Sequence, residues 1–292
     1  MTLADRYEHV RVGPPKQARQ RGIALVVVLW LLVLMTVIAA SHARVIRTET
    51  RLASNQVESG KARSLAEAGV HHAILELLVR EGDQRWPVNG SVNRIRYGDG
   101  IVAIAIRDVR GLLDINKAPA ALLDQVLAGA GLEEEPRKAL VDAILDWRDT
   151  DSLKHANGAE DDDYRHAGLK WAARDGAFSS VEEFRYVMGM TNPLFERLAP
   201  YLTVHSGQTT INLDYAPPWL ISVLSETLDT PTTVNPAGQN MNSTFRITVR
   251  ATSNGGSNAS LDAIVRIAAR NDPAYTILSW REPARSIIPA AS

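Results

Sequence analysis

The chain has no cysteine. Disulfides, thiolate zinc centres and cysteine nucleophiles are therefore excluded, and an exported fold would have to be held by packing or by a metal. A dominant charge is also missing: 32 Lys+Arg stand against 33 Asp+Glu, a formal net charge of -1. No overall basic bias points to nucleic acid. Among the 292 residues there is no G-x-G-x-x-G, no Walker loop and no G-x-S-x-G, so the usual signatures of dinucleotide binding, phosphate cradling and a serine nucleophile are absent. After Arg44 no proline interrupts the chain until Pro87. With 45% hydrophobic and 22% charged residues, the composition is that of a globular protein with one large or two modest domains.

The hydrophobic load sits at one end. Residues 23–40 read IALVVVLWLLVLMTVIAA without a charge, and Ser41, His42 and Ala43 extend the span to Arg44. At ~1.5 Å per helical residue such a run reaches about 30 Å, the thickness of a hydrocarbon core. Arg6, Arg11, Lys16, Arg19 and Arg21 precede it, against Asp5 and Glu8. The positive-inside bias places residue 1 in the cytoplasm and everything after Arg44 outside. A cleaved secretory signal is the competing reading, with Ser41 and Ala43 as its small residues. Signal cores run about 7–15 residues, and this run is longer.

Residues 44–82 are rich in Ala, Leu, Glu, Arg and Gln, which favour helix. Val45, Leu52, Val57, Leu65, Ala68, Ile74, Leu77 and Leu78 recur at three-to-four spacing. One helix is predicted over residues 23–80, apolar all round in its first half and amphipathic in its second, with Gly82 and Pro87 as stops. Alternating apolar runs predict strands at residues 101–108, 244–251, 261–268 and 275–280, joined by the polar loop 253–258 and the turn Asn271-Asp272-Pro273. More than 130 residues of mostly helical pattern separate the first strand from the second. They contain a weak repeat. Leu113-Asp114-Ile115-Asn116-Lys117-Ala118-Pro119 echoes Ile211-Asn212-Leu213-Asp214-Tyr215-Ala216-Pro217, a strand-to-helix corner in which Asx side chains are expected to cap the helix. Residues 122–132 and 178–202 look like helix-hairpin-helix elements. The first runs into Glu133-Glu134-Glu135, which would repel phosphate, so both are read as packing units.

The strongest chemical signal is residues 146–164, DWRDTDSLKHANGAEDDDY. Crowded carboxylates repel one another unless a cation sits among them, and hard oxygen donors at this density favour calcium. A solvated acidic loop is the alternative. The twelve-residue spacing of an EF-hand is absent. Catalysis by paired acids needs two carboxyls in contrasting environments, which so polar a cluster does not suggest. His155 and His166 lie in or beside the loop without a serine motif, and His71-His72 reads as a packed or solvated pair.

Several of these stretches resemble a known family. Arg19-Gln20-Arg21-Gly22 followed by Ile23-Ala24-Leu25 resembles a type IV prepilin leader, and residues 47–70 resemble the minor pseudopilin K of type II secretion systems. The resemblance implies cleavage between Gly22 and Ile23 by a prepilin peptidase, then methylation of the new N-terminus. Most pilins carry a glutamate at the fifth position after the cut; here it is Val27, and no carboxylate occurs between the cut and Glu49. Protein K shares that exception and stands at the pseudopilus tip. The implied fold is α+β and pilin-like, a long N-terminal helix on an antiparallel sheet with a large helical domain inserted in the sheet. The implied segments are a leader (1–22), the transmembrane and soluble halves of the helix (23–43 and 44–82), the first sheet part (83–110), the insertion (111–235) and the last strands (236–292). The family's calcium loop matches Asp146 to Asp151 and Gly158 to Tyr164, implying Asp149, Asp151, Glu160, Asp161, Asp162 and Asp163 as ligands with Asp146 as an extra. The implied function is non-enzymatic: assembly with minor pseudopilins I and J, pseudopilus core subunits and the inner-membrane assembly platform. The chain would cross the bacterial inner membrane once, with its C-terminal domain in the periplasm. A calcium-dependent adhesin on a type IV pilus-like anchor is the alternative, and would need an exposed aromatic patch at Trp171, Trp219 or Trp280.

Overall fold

Residues 21–79, 86–98, 100–225, 242–268 and 273–283 are described in a computed structural model. Expectations for the leader at residues 1–20, the helix stop at Gly82 and the turn residues Asn271-Asp272 lie outside them. The chain divides into two compact units, Met1–Gln56 and Val57–Ser292. Helix α1 (Arg21–Val79, 59 residues) contributes to both.

In the first unit the window Ile23–His42 has a mean hydropathy of 3.0, long and apolar enough to cross a membrane. Its side chains are all exposed. Thr36 satisfies its hydroxyl within the helix, donating to Leu32 O at 2.9 Å and Val33 O at 2.7 Å.

In the second unit α1 becomes one-sided. Ala62, Ala66, Val70, Ala73, Ile74 and Leu77 are buried, and their three-to-four spacing puts them on one face. That face covers a five-stranded antiparallel sheet of order β1-β2-β5-β6-β7. The strands are β1 (Asn89–Tyr97), β2 (Gly100–Asp108), β5 (Asn242–Thr252), β6 (Asn258–Ala268) and β7 (Tyr275–Arg281). Val102, Ile104, Ile106, Ile247, Val249, Ala263 and Val265 face the helix and form the core between the layers. Gly69 lets the helix settle: a Cβ there would lie 2.7 Å from Val102 Cγ1 and 2.8 Å from Val249 Cγ1. Four strands fall where the alternation predicts. β1 was not anticipated, because its polar run NGSVNRIRY pairs on one side only and needs little apolar content.

Between β2 and its neighbour β5 the described residues form two short parallel strands and five α-helices. They are β3 (Leu113–Asp114), α2 (Ala120–Gly129), α3 (Glu134–Arg148), α4 (Asp161–His166), α5 (Asn192–Leu198), β4 (Leu202–Thr203) and α6 (Pro218–Ser225). They surround a separate core that includes Leu123, Leu140, Ile144, Trp147, Tyr164, Phe184 and Leu198. Trp147 stacks on Phe178 at 5.9 Å with 14° between the rings. The second repeated corner packs where the chain leaves β2. Asn212 N donates to Arg110 O at 2.9 Å, and Arg107 Nη1 to Tyr215 O at 2.5 Å.

The corners do not cap their helices as anticipated. Pro119, with no side-chain cap bond, precedes α2. The Asx groups close local turns instead: Asp114 Oδ1 accepts from Asn116 N, and Asn212 Oδ1 from Asp214 N, each at 2.9 Å. Two residues separate acceptor from donor, which suits an Asx turn, whereas the helix begins too far along for the same oxygen to reach its amides. The second hairpin-like stretch forms a 3-10 turn (Val181–Tyr186) and α5, whose Leu194 N is capped by Thr191 Oγ1. Gly189 links them at φ 86, a conformation costly for other residues.

Candidate metal centre

Helix α3 buries Leu140, Ala143, Ile144 and Trp147. Asp146 lies three residues after Ala143, so the helical period carries it inward with them, and it is fully buried. Arg148 anchors the helix end, donating to Ile115 O and Ala118 O at 2.8 Å each. Asp149 then ends the helix in extended conformation. The loop returns through Gly158 to Glu160, where α4 begins.

Three carboxylates of this segment carry oxygens that have no hydrogen-bond partner. Asp146 Oδ2, Asp149 Oδ1 and Glu160 Oε1 are buried and unpartnered. Asp146 Oδ1 accepts from His155 N at 3.0 Å and from the His155 ring at Nδ1. Donor atoms of Asp146, Asp149 and His155 all lie within 4.8 Å of one another. Unpaired buried acceptors of like charge are unfavourable, and protonation responds to that. Burial, then Asp151 and Asp146, raises the Asp149 carboxyl above its usual range. Burial, then Asp146, Asp175, Asp149 and Asp161, pushes Glu160 up to about 7. Hydrogen bonding to Asp146 raises His155. A hard divalent cation supplies what these oxygens lack, so the donor set fits calcium.

The sequence-predicted ligands divide into groups. Asp149 carries an unpaired oxygen in the grouping with Asp146 and His155, and Glu160 carries one that feels the charges of Asp146 and Asp149. Asp151 accepts from Leu153 N at 2.8 Å, and Asp161 is exposed in the first turn of α4. Asp162 pairs with Arg165 at 2.5 Å. Asp163 pairs with Lys154 at 2.7 Å and accepts from Glu160 N at 3.0 Å. Asp146, first read only as an extra, is the most buried member, and the α3 period was the signal for it. Asp175, which acts on Glu160 from beyond α4 at a positive φ of 53, left no signal in the sequence.

Residues 102–207 match the family described as type II secretion system (T2SS), protein K, and residues 21–71 match PilX N-terminal. The type II secretion system protein K of Pectobacterium carotovorum subsp. carotovorum is 29% identical over 212 residues, covering 64% of this chain and 63% of that protein. That of Klebsiella pneumoniae is 27% identical over 213 residues, covering 65% and 64%. That of Aeromonas hydrophila is 28% identical over 232 residues, covering 70% of each. The chain thus spans just under two thirds of the first two relatives' length. The fold is shared with a chain of the crystal structure of the GspK-GspI-GspJ complex from enterotoxigenic Escherichia coli. The TM-score is 0.55 at 14% identity, over 82% of this chain and 99% of that one. All three of these relatives are named as secretion-system proteins. Residues 102–207 are thus similar to type II secretion system protein K, the similarity to its named members extends over about two thirds of the chain, and the fold is that of a chain in the GspK-GspI-GspJ complex.

Proposed function

We propose that the chain is a minor pseudopilin of a type II protein secretion system, part of the pseudopilus tip and a helper of filament initiation. One observation carries the reading: an apolar helix without a carboxylate in its membrane-length window precedes a protein K domain. In that role the window anchors the protein in the inner membrane with the second unit in the periplasm. The elements between β2 and β5 act as an inserted helical domain that hinders another subunit from stacking above. The leader is cut between Gly22 and Ile23 by prepilin peptidase and the new N-terminus is methylated. The partners are minor pseudopilins I and J, as in the GspK-GspI-GspJ complex, then the core subunits and the assembly platform.

Calcium in the acidic loop belongs to the same proposal. Asp146, Asp149 and Glu160 would hold it, with Asp151 and Asp161 adding negative charge. The ion is structural and neutralises the cluster, tying the loop between α3 and α4 to the helical core. The test is co-purification of the detergent-solubilised chain with pseudopilins I and J, with and without a chelator. A ternary complex that weakens on chelation supports both parts. A chain that binds neither partner in calcium overturns the tip assignment.

A further inference from the structure

The sheet is charged on one face only. Among the described residues its five strands hold seven arginines, and register places all of them on the face turned away from α1. Ile95 pairs with Val102 and Asn93 with Ile104, and Val102 and Ile104 pack beneath the helix. Alternation therefore sends Arg94 and Arg96 the other way. Along the same face Arg94 neighbours Ala103, which neighbours Arg250; Arg96 neighbours Ile101. The only carboxylate on that face of the described strands is Asp262, and it is taken. Arg246 holds it with two bonds at 2.9 Å, and Arg281 Nη2 reaches it at 3.3 Å.

Arg94 and Arg96 are exposed and make no ion pair among the described residues. Both lie on β1, which pairs only with β2, so its other edge has no strand partner among the described residues. On the opposite face of β1, Ile95 and Tyr97 are half-buried against the core beneath α1. An edge without a strand partner among the described residues, two cations two residues apart on one face and apolar side chains on the other define a complement. It is an extended chain alternating carboxylates with apolar residues. Backbone pairing supplies affinity and alternate side chains supply selectivity. The same arginines repel the β1 edge of a second copy.

We propose that β1 is a docking edge for an acidic extended segment of a partner protein, added antiparallel or parallel to the sheet. Its carboxylates meet Arg94 and Arg96. The site is separate from the metal cluster and does not depend on it.

The test uses the full chain in non-ionic detergent and two fluorescent ten-residue peptides, one alternating Glu with Val and one alternating Lys with Val. The Glu peptide should bind and slow amide exchange within residues 89–97. Binding should fall at least about tenfold in the double variant Arg94→Glu/Arg96→Glu and weaken with salt. Arg94→Lys/Arg96→Lys keeps the charge, guards against a folding defect and should retain most of the binding. Equal binding of the Lys peptide, or binding that leaves exchange in β1 unchanged, overturns the proposal. So does capture by phosphatidylglycerol vesicles, dependent on the two arginines, in place of the peptide. If the charge reversal fails to fold, the exchange footprint on the unmodified chain decides.

Discussion

Gly158 stands directly against the Asp146 carboxylate: a Cβ on residue 158 would occupy the space of Asp146 Oδ2. The loop can close over α3 only because residue 158 has no side chain. The glycine is needed for this approach. Gly158→Ala should therefore displace either the loop or the buried carboxylate, at a cost of about 1–3 kcal/mol, typical of overpacking. Thermal unfolding of the solubilised chain would show a lower midpoint and a smaller gain on adding calcium. An unchanged midpoint and gain would mean the contact is relieved freely.

Neutralising the cluster should have opposite effects with and without metal. In chelator, Asp149→Asn or Glu160→Gln removes a repelled buried charge and should raise stability by about 1 kcal/mol. In calcium the same changes remove a donor and should lower it. Melting curves in both conditions would therefore cross. Curves shifted equally in both would remove the cation from the site.

Glu160 also sets a pH dependence in the metal-free protein. Its folded-state value, about 7, lies above the ordinary 4.5, so the folded state holds a proton that the unfolded state has released. Stability from this group is greatest below about 4.5 and is lost as pH rises through about 7. Chelated protein should lose stability across that window, and Glu160→Gln should flatten the loss. With calcium the slope should reverse, because the cation competes with the proton.

Asp262 holds two arginines from neighbouring strands, and it is 4% exposed. Asp262→Ala leaves Arg246 and Arg281 without their shared acceptor, although Arg281 keeps Glu182. Breaking such a buried pair costs about 3–5 kcal/mol. Urea unfolding would register it as a lower midpoint with unchanged slope. A loss below about 1 kcal/mol would show that water replaces the carboxylate.

The long helix was legible because its signal is local: an uncharged run, then apolar residues at a helical period, with no proline. The strands at β2, β5, β6 and β7 were legible because each has one face on the core. β1 was not, since an edge strand with a polar pattern differs little from a loop. In the acidic loop the residue types were plain and the roles were not. Asp162 and Asp163 look no different from Asp161 along the chain, yet Arg165 and Lys154 occupy them.

Composition and periodicity by themselves determined the apolar anchor-length helix, the α+β class, the absence of disulfides and the existence of a carboxylate cluster. Those depend on neighbours within a few turns or strands. Tertiary structure decided which oxygens of that cluster are buried without a partner, which glycine makes room for them, and that the sheet's arginines all share one face. Burial and pairing depend on residues brought together from distant parts of the chain, as Asp175 is to Glu160 and Asp262 to Arg281. No local pattern encodes those pairings.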